Sequence, residues 1–163
     1  MSDVCLDIYE PVEPYVLHDL DIPSADGSQW VMQFTPVGAV PHTGWLDLID
    51  EIYDVYIQRK DYQRAPNFDA WLARLQYSLD ESNAILVMKV NRLGEVVAAA
   101  TGFVGDNLHY GETLMYSTIL NPTQDSAGLY KALKEAAVRI GVAAWCRSKF
   151  IKDGKFEVTF REV

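Results

Sequence analysis

Residues 121–133, NPTQDSAGLYKAL, stand between an extended apolar run, ETLMYSTIL (112–120), and a stretch with helical periodicity, SAGLYKALKEAAVRIG (126–141). In that second stretch Leu129, Ala132, Leu133, Ala136, Ala137 and Ile140 recur at three and four residues, and Gly141 supplies a stop signal. Strand, loop with a glycine, then helix is the arrangement in which backbone amides at a helix N-terminus can hold a phosphate. The loop therefore either cradles such a group or only shares the outline of loops that do.

Upstream of the loop the chain reads as strands. AILVMKVN (84–91), the turn RLGE, VVAAATGFVG (96–105) and ETLMYSTIL form three consecutive strands of a meander. Before them come two amphipathic helices. HTGWLDLIDEIYDVYIQRK has Thr43 as a candidate N-cap and an apolar stripe of Leu46, Ile49, Ile52, Tyr53 and Tyr56. NFDAWLARLQYSLDES has Asn67 as its cap, with Phe68, Trp71, Leu72, Leu75 and Leu79 on one face. QWVMQFTPV (29–37) reads as a strand closed by Pro36. Downstream, VAAWCRSKFI and KFEVTFREV joined by KDG read as a closing hairpin on an Asp-Gly turn. The order is β-α-α-β-β-β-α-β-β, an α+β sheet with helices on both faces.

A chain of 163 residues fits one domain, expected over 29–163. The first 28 residues read as an acidic arm. Pro11, Pro14 and Pro23 punctuate them, SADGS marks a loop, and apolar residues such as Val4, Leu6, Tyr15, Leu17, Leu20 and Ile22 are too many for a disordered tail. The negative charge is concentrated in the first 58 residues: the first Lys or Arg is Arg59, and eleven acids precede it. Such a segment cannot neutralise phosphates, which argues against nucleic-acid binding through it. It suits either a solvated surface or docking on a basic partner, with Asp3, Asp7, Glu10, Glu13, Asp19 and Asp21 as candidate contacts.

No basic n-region precedes an apolar run, and no apolar stretch is long enough to span a bilayer, so neither a secretion signal nor a membrane span is expected. Cys5 and Cys146 are far apart with no C-x-x-C spacing, and read as two reduced thiols. Cys146 beside Arg147 could be a low-pKa nucleophile, but a buried structural thiol is the simpler reading. His18, His42 and His109 are scattered and have no metal-ligand spacing.

In element order, over residues 29–163, and in the Pro, Gly and Lys-Ala-Leu of ILNPTQDSAGLYKALKEAAVRIG, the chain resembles the GCN5-related N-acetyltransferase superfamily, as a degenerate member of the kind encoded by tailed bacteriophages. The resemblance implies a sheet with the family's element order, truncated at its C-terminal end because only KDG separates the last two strands. It also implies that the loop before the central helix would hold the coenzyme A pyrophosphate. In an enzyme reading, Gln124, Ser126, Ala127 and Gly128 would bind acetyl-CoA, Glu112 would be the base and Tyr116 the acid.

The departures from the family pattern set the expected function. Counting from Pro122, Asp125 occupies the usually basic position, Ser126 and Gly128 the first two glycine positions, and Tyr130 the third. A carboxylate some 5 Å from a phosphate is repelled by roughly 3 kcal/mol at an effective dielectric of 20, more than about a hundredfold in affinity. As an N-cap, Asp125 or Ser126 would instead satisfy the helix's own amides. The resemblance, so modified, implies a non-catalytic structural or interaction protein without a cofactor. It would be a virion component or act in the host cytoplasm, meeting other proteins of an assembly through its acidic arm and a sheet edge. Two alternatives stand beside it: an acetyl-CoA-dependent N-acyltransferase with an atypical loop, and an acidic inhibitor or mimic of a basic host protein.

Overall fold

The structure, a computed structural model, describes residues 12–37, 49–50, 53–54, 57, 65–152 and 155–163. Its strands are β1 His18–Asp19, β2 Gln29–Thr35, β3 Ala84–Val90, β4 Val96–Asn107, β5 Gly111–Leu120, β6 Ala144–Lys152 and β7 Lys155–Glu162. Its two described helices are α1 Phe68–Glu81 and α2 Ser126–Ile140. The strands form a single sheet in chain order. Every neighbouring pair is antiparallel except β5 and β6, which run parallel because α2 carries the chain back between them.

The fold is α+β with a mostly antiparallel mixed sheet, as the sequence leads one to expect. The first anticipated helix, with Thr43 and His42, lies largely outside the described residues, of which 49–50 and 53–54 are helical. Cys5, Asp3, Asp7, Glu10 and the Asp153-Gly154 turn also lie outside them.

The alternation of side chains along the strands divides the core. Trp30 and Met32 of β2, Ile85 and Val87 of β3, Ala98 and Ala100 of β4, Leu114 and Tyr116 of β5 and Trp145 of β6 face Leu129, Ala132, Leu133, Ala136 and Ala137 of α2. The intervening residues Val31, Leu86, Met88, Val96 and Ala99 face Leu79, Leu75 and Trp71 of α1. The small residues of α2 let it lie close on the sheet, and each large side chain so buried contributes about 1.5–3 kcal/mol. Gly102 of β4 is small for the same reason: a Cβ there would stand 2.8 Å from Leu114 Cδ1 and 3.0 Å from Tyr116 Cδ1.

α1 begins where anticipated, with Asn67 Oδ1 accepting from Ala70 N at 2.9 Å. α2 ends at Gly141, whose φ of 77° is left-handed. β1 is a departure, since the first 28 residues read as an arm punctuated by prolines, with no strand in it. Two residues carry no periodicity, and their strand character comes wholly from pairing with Val31 and Met32 of β2.

The segment anticipated as an arm is, from residue 12 onward, laid along the same sheet. Tyr15 N donates to Phe34 O and Leu20 N to Trp30 O, each at 2.9 Å. Leu20 is 2% exposed among the residues under α2. From α2 itself Arg139 Nη1 donates to Asp19 O at 2.6 Å, and Arg139 Nη2 pairs with the Asp21 carboxylate at 3.2 Å.

Candidate functional site

The loop of residues 121–125 closes on itself before it meets the helix. Asn121 accepts from Gln124 N through its carbonyl at 3.3 Å, receives the Thr123 hydroxyl on Oδ1 at 2.6 Å, and donates from Nδ2 to Asp125 O at 3.1 Å. Gln124 has a φ of 60°, a left-handed conformation that a non-glycine residue takes at some cost. This turn aims Asp125 back at the first turn of α2.

Asp125 is the N-cap. Its Oδ1 accepts from Gly128 N at 2.9 Å, and its carbonyl accepts from Leu129 N at 3.0 Å. Ser126 N donates to Gln124 O at 3.0 Å. Three of the amides that open α2 are thus taken by atoms of the loop. Gly128 is explained by the same cap: a Cβ on it would overlap the Asp125 carboxylate, whose Cγ would stand only 2.7 Å away.

The other carboxylate oxygen faces Lys89. This lysine lies near the end of β3 on the α2 side, with its side chain 3% exposed, and its Nζ stands 3.4 Å from Asp125 Oδ2 and 3.4 Å from Asp26 Oδ2. Nζ also lies 5.9 Å from the centre of the Trp30 ring, whose negative face favours a cation. A buried ammonium without partners would be costly, so the two carboxylates and the ring account for its charge. The Gly128 amide holds the Asp125 carboxyl below its usual range, burial opposes this, and Lys89 lowers it further. The indole N–H of Trp30 adds the smallest part of the lowering, without itself making a hydrogen bond. Asp26 is held lower still by the Ser24 hydroxyl, by the backbone and hydroxyl of Ser28, and by Lys89.

Tyr130 turns away from the loop. Its ring meets Trp145 edge-on at 5.5 Å and lies 5.1 Å from the Arg161 guanidinium of β7. Tyr116 is fully buried on β5. Its hydroxyl donates to Leu133 O of α2 at 2.8 Å, its ring meets Trp145 edge-on at 6.0 Å, and burial raises its pKa. Glu112 shares that face of β5 but is exposed at the strand's start, where its carbonyl accepts from Ala143 N at 2.9 Å. Ala127 lies in the first turn of α2 between Ser126 and Gly128 and offers no polar side chain.

A second feature borders the loop. β5 and β6 pair from Thr113↔Ala144 to Tyr116↔Arg147 and no further. Where they part, Ser117 is an extra residue in β5, bulged between the pairs Thr101↔Thr118 and Gly102↔Tyr116, and its hydroxyl donates to Thr101 O at 3.3 Å. The two strands therefore diverge beside the mouth of the loop, a relation that the sequence did not signal.

The remaining candidates are dispersed. Cys146 is buried in β6, and burial raises its thiol pKa, so it is held as the neutral structural thiol. His18 Nε2 lies 2.9 Å from Glu13 O, and His109 N donates to Asn107 Oδ1 in the β4–β5 turn. Among the described residues no group of three or more His, Cys, Asp or Glu side chains stands together as a metal site. No described helix is long and apolar enough to cross a membrane. No protein-family model matches the chain, and no curated protein matches it.

Proposed function

We propose that this chain is an acetyltransferase-like domain that has exchanged acyl-CoA chemistry for a structural, protein-binding role. One observation carries the reading: the place where a pyrophosphate would sit against α2 is taken by the Asp125 carboxylate, bonded to Gly128 N and paired with Lys89. An incoming phosphate would have to displace a carboxylate that is already hydrogen-bonded and charge-paired, and would meet its repulsion if it stayed. The binding role then falls to surfaces, and the exposed acids of the N-terminal segment, Asp19 and Asp21 among them, are suited to a basic protein in an assembly such as a phage virion.

The divergence of β5 and β6 beside the bulge at Ser117 favours the alternative, an N-acyltransferase holding acetyl-CoA between the strands. Calorimetric titration of acetyl-CoA and of CoA separates the two. Absence of heat at millimolar ligand is expected. Micromolar binding, weakened by substitutions at Ser126 or Gly128, would overturn the structural reading and direct attention to Glu112.

A further inference from the structure

We propose that β7 is the seat of a twofold contact between two copies of this chain, which joins their sheets edge to edge. β7 has β6 on one side and, among the described residues, no strand on the other. The register of the hairpin, with Val163 N donating to Ala143 O, directs the backbone amides and carbonyls of Val158, Phe160 and Glu162 away from β6. An edge whose outward amides at Val158, Phe160 and Glu162 meet no strand among the described residues is ordinarily protected by charge, and β7 carries Lys155, Glu157, Arg161 and Glu162.

The signs of those charges make the strand complementary to itself. In an antiparallel pair centred on Thr159, Glu157 of each copy faces Arg161 of the other, Thr159 faces Thr159, and Val158 faces Phe160. All three are favourable cross-strand combinations. The backbone agrees with this register. Val158 and Phe160, which point their amides outward, become the hydrogen-bonded pairs, while Glu157, Thr159 and Arg161 fall in the closer non-bonded pairs where side chains meet. Moving the centre to Val158 sets Lys155 against Arg161, and moving it to Glu157 sets that residue against itself. On the opposite face Val158 is 47% exposed, which adds apolar area at the seam.

Overall charge selects the same edge. The chain carries −9, with eleven acids and no basic residue in its first 58 positions, whereas the charges of β7 cancel. β1 and β7 are opposite edges of the sheet, so a contact through β7 keeps the acidic segments of the two copies far apart. Such a symmetric, isologous contact closes after two copies and does not propagate.

Sedimentation velocity on the full chain from about 1 µM to about 1 mM tests this, because an interface of one strand per copy is small and its dimer concentration-dependent. A monomer–dimer equilibrium is expected. Glu157→Lys should weaken it roughly tenfold to a hundredfold, and Glu157→Lys with Arg161→Glu should restore it. Val158→Pro, which removes an outward amide and leaves the β6 ladder intact, should give a folded monomer by circular dichroism. A wild-type chain that is monomeric throughout would overturn the proposal. So would a dimer whose affinity Glu157→Lys leaves unchanged.

Discussion

The ammonium of Lys89 and the carboxylate of Asp125 stand 3.4 Å apart, and through them the end of β3 is tied to the first turn of α2. Asp26 meets the same ammonium from the N-terminal segment. Three parts of the chain distant in sequence thus share one buried charge.

The two sides of this cluster are unequal, because the lysine is 3% exposed while the Asp26 and Asp125 side chains are 57% and 32% exposed. Lys89→Met leaves two carboxylates that water can reach, and should cost about 1–2 kcal/mol. Asp26→Asn with Asp125→Asn leaves the buried ammonium without a carboxylate partner and should cost more than Lys89→Met. Urea unfolding of the two variants, compared at neutral pH, gives the order directly.

Alanine normally stabilises a helix over glycine by about 1 kcal/mol, but at Gly128 its Cβ would expel the cap. Gly128→Ala should therefore be neutral or destabilising in the wild-type chain, and stabilising by about 1 kcal/mol once Asp125→Ala has removed the carboxylate. Asp125→Ala alone should cost about 1 kcal/mol for the lost cap, and more for the partner that Lys89 loses. A thermal-unfolding double-mutant cycle measures the coupling.

The cluster also predicts acid sensitivity. Both carboxyls are lowered from 3.8 in the folded chain, so folding releases protons and their contribution is fully present above the unfolded value. As the pH falls below 3.8 toward the folded values, that contribution is lost. Stability profiles between about pH 6 and about pH 2 should show a smaller decline in Asp125→Asn than in the wild type.

Leu20 tests whether the N-terminal segment is part of the fold. It is 2% exposed beneath α2. Leu20→Ala should cost about 2–5 kcal/mol, which calorimetric melting would register, whereas truncation in an appended arm would leave the transition in place.

Tyr116→Phe removes the hydroxyl that ties β5 to Leu133 O while keeping the ring against Trp145. The expected loss is about 0.5–1.5 kcal/mol in chemical denaturation, with an unchanged fold by near-ultraviolet circular dichroism.

Much of the architecture was legible locally. The period of three and four in residues 126–140 and the stop at Gly141 returned α2, and Asn67 marked the start of α1. Apolar, β-branched runs returned the meander because each strand is long enough to show its pattern. β1 was not legible, since two residues show no period and depend on a partner for their conformation. The same limit applied to the parting of β5 and β6: a bulge is a mismatch between strands, and no single strand records it.

The sequence by itself determined that a carboxylate, and not a cation, would stand at the entrance to α2. It also determined that Asp125 or Ser126 would cap that helix, because capping depends on residues within one turn. Only the tertiary structure decided that Asp125 is the cap, that its second oxygen is met by Lys89, and that the acidic segment folds onto its own sheet. Lys89 and Asp125 lie 36 positions apart in the chain, and a Coulombic pair depends on distance in space.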